Sequence, residues 1–114
     1  MNIKEYLKHT HISDWDVSNV TDMKAMFNFA ISFNQDISRW DVSNVLDMNG
    51  MFFKSKYNQE LSEWDTCNVK YMDYMFAYSE FKSNISKWKL PADRFKINMF
   101  KGSVNDPTGE MFKK

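Results

Sequence analysis

Glycine, cysteine and net charge are all scarce in this chain, and each shortage removes a class of function. Three glycines in 114 residues are too few for a glycine-rich cradle that wraps phosphates. The lone cysteine, Cys67, cannot pair within the chain, and a free thiol suits a reducing compartment. Fifteen basic and fifteen acidic side chains cancel to a formal net charge of zero, with no polybasic run or basic amphipathic stretch. Nucleic acid and anionic lipid surfaces are thereby set aside as partners, and no membrane insertion is expected, because no apolar stretch approaches a membrane span. Segment 1–8 is too short and too charged for a signal peptide, so a cytoplasmic or host-intracellular location is expected, with a surface or virion location as the alternative.

What the chain has is repetition. Trp15, Trp40, Trp64 and Trp88 fall 25, 24 and 24 residues apart, each inside a near-copy of one phrase. The copies begin at Ile12, Ile37, Leu61 and Ile85, and the fourth is the most degraded. Met26-Phe27, Met51-Phe52, Met75-Phe76 and Met99-Phe100 keep step, each eleven residues beyond its tryptophan. A fixed period of this length implies stacked coils whose stability is a sum of coil and neighbour terms.

Within a coil, Trp40 and Val42 alternate with Arg39, Asp41 and Ser43, the period of a half-buried strand. Val45, Met48, Met51, Phe52 and Ser55 then recur at the spacing of one helical stripe, as do Val20, Met23, Met26, Phe27 and Ala30, and Val69, Met72, Met75, Phe76 and Ser79. Asn19 with Asp22, and Asn44 with Asp47, have the spacing of a helix N-cap and its third-position carboxylate; Pro91 suits a first helical turn in the fourth copy. These patterns predict an α/β repeat fold, a short leucine-rich-repeat-like solenoid of four strand-helix coils with a parallel strand ladder. Its tryptophan, methionine and phenylalanine ladders would form the core. The expected organisation is an N-terminal cap over 1–11, the four-coil array over 12–100 and a C-terminal cap or tail over 101–114. Ile3, Tyr6 and Leu7 would pin the first cap, and Met111 and Phe112 the last.

Two rows of charged residues flank the tryptophans. Asp14, Arg39, Glu63 and Lys87 alternate in sign and read as a ladder of surface ion pairs. Asp16, Asp41, Asp65 and Lys89 place three carboxylates in line, which repel unless compensated. Either a basic groove or tail of a partner protein or a divalent cation lies along them, or each aspartate bonds a nearby serine or turn amide. No histidine or arginine shares that row, and no Ser-His-Asp or Cys-His grouping occurs, so no catalytic residue, cofactor or metal is expected. His9 and His11 alone make a weak metal site.

The phrase from Phe33 to Phe52, Phe-Asn-Gln-Asp-Ile-Ser-x-Trp-Asp-Val-Ser-Asn-Val-x-Asp-Met-x-x-Met-Phe, closely resembles the BspA-like leucine-rich repeat proteins. The resemblance covers about residues 12–100 and implies a repeat fold whose role is to bind protein. Family members are commonly bacterial surface adhesins. This chain, short and with no evident leader or anchor, reads instead as a soluble binding or inhibitor protein of the kind a phage, virus or mobile element encodes. The eight residues of the two charged rows are the expected contact set. A surface adhesin or an end-to-end self-assembling repeat protein is the alternative; a cation-dependent glycan-acting enzyme is the remote one.

Overall fold

A computed structural model describes residues 11–103, and there each repeat is built from turns. In the second copy the amide of Trp40 donates to the Ile37 carbonyl at 3.1 Å, Val45 to Val42 at 3.0 Å, Met51 to Met48 at 3.2 Å and Ser55 to Phe52 at 3.0 Å. The same closures recur in the first copy at 12–15, 17–20, 23–26 and 27–30, and in the third at 61–64, 66–69, 72–75 and 76–79. The fourth copy keeps 85–88, 96–99 and 100–103 but inserts a short 3-10 segment, Asp93–Phe95, where its second turn should be. A second 3-10 segment, Ile12–Asp14, opens the first copy.

The expected α/β fold, with strand-helix coils and a parallel strand ladder in a leucine-rich-repeat-like solenoid, is therefore not formed. The described residues contain no α-helix and no strand. Their only sheet-like pairings are two isolated parallel bridges, Asp22 with Asp47 and Asp47 with Tyr71. The reason lies in a degeneracy of spacing. Two consecutive four-residue turns bring residues i, i+3, i+4 and i+7 to one side, the same pattern that marks a helical stripe. Met48, Met51, Phe52 and Ser55 open and close two such turns, and all four are buried. The supposed strand fails for a different reason. Asp36 and Asp41 accept the amides of Ser38 and Ser43 at 2.8 and 3.0 Å, so side chains bend the backbone locally and take donors that a ladder needs.

The turns of the Met-Phe segment require a left-handed third residue, as type II turns do. Ala25, Gly50, Tyr74 and Asn98 occupy this place in the first turn, with φ of 56°, 62°, 56° and 53°. Phe29, Lys54, Tyr78 and Gly102 occupy it in the second, with φ of 58°, 55°, 56° and 74°. An L-residue there costs roughly 1–2 kcal/mol. The compensation comes from the neighbouring repeat, because this geometry turns alternate amides outward along the stack. Ala25 donates to Asn49 at 2.9 Å, Gly50 to Asp73 at 2.8 Å and Tyr74 to Ile97 at 2.9 Å. Phe29 reaches Phe53, Lys54 reaches Ala77 and Tyr78 reaches Lys101, at 2.8, 2.9 and 2.7 Å.

Asn44, expected to cap a helix, does other work, as does Asn68 at the same place in the third copy. Asn44 and Asn68 donate from Nδ2 to the carbonyls of Ser18 and Ser43 in the preceding repeat, both at 2.7 Å. Asp22 and Asp47 accept the amides of Lys24 and Asn49, two residues on. Pro91 likewise starts no α-helix; the chain beyond it enters Asp93–Phe95.

The core holds most of the residues the repeat pattern placed there, but in the first copy Met26 is 40% exposed and Trp15 only partly buried. Trp40, Trp64 and Trp88 are buried, and their Nε1 atoms donate to the carbonyls of Ile12, Ile37 and Leu61 at 2.9, 3.0 and 2.9 Å. Phe27, Phe52, Phe76 and Phe100 form a column with ring centroids 5.6, 5.5 and 5.6 Å apart and nearly parallel planes. Phe33, Tyr57 and Phe81, from the return segments, stack on that column at 4.3, 4.9 and 4.2 Å. Burial pushes the Tyr57 hydroxyl well above its ordinary pKa, and its oxygen accepts the Ile37 amide at 3.4 Å. Ile3, Tyr6 and Leu7, and Met111 and Phe112, lie outside the described residues.

Two substitutions test this architecture by urea denaturation. Ala25→Gly is expected to leave stability unchanged or raise it, because glycine relieves a left-handed residue; inside a helix the same change costs about 1 kcal/mol. Trp64→Phe retains an aromatic ring but removes the indole donor to the Ile37 carbonyl, which keeps the Trp40 amide, with an expected loss of about 0.5–1.5 kcal/mol.

Candidate binding surface

Each residue of the two charged rows, Asp14, Arg39, Glu63 and Lys87 with Asp16, Asp41, Asp65 and Lys89, is exposed. They flank tryptophans that point inward, so the turn at 37–40 and its equivalents project both neighbours of the ring toward solvent. In the first row one ion pair closes: Lys87 Nζ meets Glu63 Oε1 at 2.9 Å, with both side chains more than two-thirds exposed. Such a pair contributes a few tenths of a kcal/mol. Among the described residues neither Asp14 with Arg39 nor Arg39 with Glu63 forms an ion pair. The ladder expected along this row is a single rung.

The aspartate row is more uniform. Asp16 accepts the Ser18 amide at 3.0 Å and its hydroxyl at 2.6 Å; Asp41 accepts the Ser43 amide at 3.0 Å and its hydroxyl at 2.5 Å. Asp65 accepts the Cys67 amide at 3.0 Å. The Ser18 and Ser43 hydroxyls, with the amides behind them, hold the first two carboxyls below the usual carboxylate range; the Cys67 thiol and amide do the same for Asp65. Opposing this, the charge of Asp16 acts on Asp41 and that of Asp41 on Asp65, which shows that the row is close enough to repel itself. Local hydrogen bonds supply the compensation. The same contact pushes the Cys67 thiol up, through its bond to Asp65 and despite the nearby charge of Lys89, so this cysteine is a poor nucleophile.

A third row, not singled out in the sequence, runs alongside. Asp36, Glu60 and Asn84 accept the amides of Ser38, Ser62 and Ser86 at 2.8, 3.1 and 2.8 Å. Glu60 also accepts the Ser83 hydroxyl at 2.5 Å and is held below its ordinary pKa chiefly by that bond. The signal was legible: an acid or amide stands two residues before the serine of the second, third and fourth phrases, with His11 at that place in the first.

Sequence reasoning also missed an aromatic face on the Met-Phe turns. Phe53 meets Phe29, Tyr74 and Tyr78 edge to face, at centroid distances of 5.6, 6.2 and 5.8 Å. The Lys54 ammonium lies over Phe29, Phe53 and Tyr78 at 5.3, 5.4 and 5.8 Å. The clue was aromatics at positions outside the buried stripe. His11 is exposed and His9 lies outside the described residues; no group of three or more metal-ligating side chains comes together among the described residues.

The row's pH behaviour follows from the sign of these shifts. A carboxyl held below its unfolded pKa stabilises the fold above about pH 4 and loses that contribution as the pH falls through its folded value. Ser43→Ala is expected to move the Asp41 titration, followed by carboxyl NMR, upward toward the ordinary value of about 3.9. The neighbouring Asp16 titration should change much less.

No helix among the described residues is long and apolar enough to cross a membrane. No curated protein and no solved structure matches the chain. The family model described as "Mycoplasma protein of unknown function, DUF285" matches residues 2–109, and with a match across nearly the full chain this chain belongs to that family.

Proposed function

We propose that this chain is a non-catalytic protein-binding module whose contact set is the pair of charged rows, Asp14, Arg39, Glu63 and Lys87 beside Asp16, Asp41, Asp65 and Lys89. One observation carries the reading: three carboxylates, repeat after repeat, are held in one orientation by the same local bonds while remaining exposed. A side chain already ordered in the free protein loses little freedom on binding. Lysines or arginines of a partner, spaced like the repeats, would also relieve the repulsion along the row. The phrase from Phe33 to Phe52 supports a closer kinship with the BspA-like repeat proteins, for which protein binding is the implied role.

The test removes charge without removing the turns. Asp41→Asn and Asp65→Asn together retain a side-chain oxygen for the Ser43 and Cys67 amides, so Tm is expected to stay nearly constant. Capture of partners from the native cell, identified by mass spectrometry, should fall by roughly tenfold or more, and wild-type capture should weaken with added salt. Undiminished capture by the double variant would show that the aspartate row is not the contact surface.

A further inference from the structure

The Met-Phe turns of successive repeats are joined by amides that cross in one direction only. In the last such interface Tyr74, Phe76 and Tyr78 donate to the carbonyls of Ile97, Met99 and Lys101. The matching amides of the fourth repeat belong to Asn98, Phe100 and Gly102, and among the described residues none of them meets an acceptor. The matching carbonyls of the first repeat belong to Lys24, Met26 and Asn28, and among the described residues none receives a donor. One end of the stack therefore offers three donors and the other three acceptors, in the register that joins repeats inside the chain. Backbone groups of this kind need a partner or water.

Both edges are open. A hollow of about 540 Å³ is lined by Asp93 and residues 96–102 and by no residue of the third repeat, which places it on the far side of the last turns. At the other end Met26 is 40% exposed, whereas Met51, Met75 and Met99, each with a repeat before it, are 0%, 0% and 4% exposed. Met26 is bare for want of a preceding repeat, and the fourth repeat of another molecule is the surface that fits there.

Charge sets the polarity. The chain is neutral as a whole, yet its first repeat, 12–36, carries four aspartates against Lys24, and its fourth, 85–103, carries four lysines and Arg94 against Asp93. Asp14 and Asp16 flank the first tryptophan, and Lys87 and Lys89 flank the last. In register, those lysines of one molecule fall beside those aspartates of the next, as Lys87 falls beside Glu63 of the adjacent repeat at 2.9 Å. Two first repeats, or two fourth repeats, would bring like charges together at a cost. We propose that this chain associates head to tail, the fourth repeat of one molecule docking on the first repeat of the next as a fifth repeat would. The contact is heterologous, so it builds open chains, and it leaves Asp41 and Asp65 free for a partner.

Sedimentation equilibrium of the full chain tests this with no added ligand. In low salt the weight-average mass is expected to rise with concentration past that of a dimer, with a Kd per contact on the order of 0.1 mM, and to fall back as salt is added. Asp14→Lys with Asp16→Lys places lysines beside the end tryptophans at both ends of the chain. Lys87→Asp with Lys89→Asp places aspartates there. All four side chains are exposed, so both variants are expected to fold, with Tm as the check. Each variant alone should associate roughly tenfold more weakly than wild type, and an equal mixture of the two should recover association, because each presents the charge the other lacks. Asp41→Asn with Asp65→Asn, the variant that tests partner capture, should associate as wild type does. The proposal is overturned if the chain stays monomeric at about 1 mM in low salt, as it would were its own segments 1–10 and 104–114 to cover its ends. It is equally overturned if association stops at a dimer, or if the mixture associates no better than its components.

Discussion

The architecture depends on the backbone amides that leave one repeat and end in the next. A short turn satisfies only some of its own donors, and those left over must find acceptors or water. Here they point along the stack. Met23, Ala25, Phe27 and Phe29 donate in sequence to Asp47, Asn49, Met51 and Phe53, and the next two interfaces repeat the register. Left-handed residues, unfavourable in isolation, are tolerated because they aim those amides. The consequence is cooperative: the turns of one copy are completed by the carbonyls of another.

Side-chain traffic reinforces the same interfaces. The indoles of Trp40, Trp64 and Trp88 reach back to carbonyls of the previous copy, and Asn44 and Asn68 do so at the surface. Asn34 and Asn58 accept the amides of Asn58 and Lys82 by the same logic in the return segments. Phenylalanine rings spaced 5.5 to 5.6 Å apart share that period. Large aromatics and short amides are therefore not alternatives in this chain but two layers of one repeat, dry inside and hydrogen-bonded at the rim. The same period sets the outward surfaces. Charged residues beside each tryptophan fall into rows because the ring between them is buried, and the aromatic face exists because Phe53, Tyr74 and Tyr78 occupy turn positions that face outward.

Much of the core was legible in the sequence. Trp40, Val42, Met48, Met51 and Phe52 are buried as their recurrence required, and the aspartate-serine spacing of the first two phrases anticipated local bonds that shape the turns. The helices were misread because the apolar spacing of Met23, Met26, Phe27 and Ala30 is common to a helical stripe and to paired four-residue turns. Gly50, Asn98 and Gly102, residue types that favour left-handed backbone, stood at matching positions and pointed to turns. Ala25, Phe29, Lys54, Tyr74 and Tyr78 at the same positions hid that signal. The aromatic face escaped notice because Phe29, Phe53 and Tyr74 converge only when successive copies are laid side by side.

The sequence by itself determined the period, the inward-facing residues and the charges on either side of each tryptophan, because those depend on side-chain type repeated at fixed spacing. Only the tertiary structure decided whether the Met-Phe segment winds as a helix or bends through turns. Both choices bury the same side chains, and what separates them is the destination of the backbone donors. In a helix those donors close four residues back within the segment; here they close in a neighbour about 24 residues away, which no local pattern encodes.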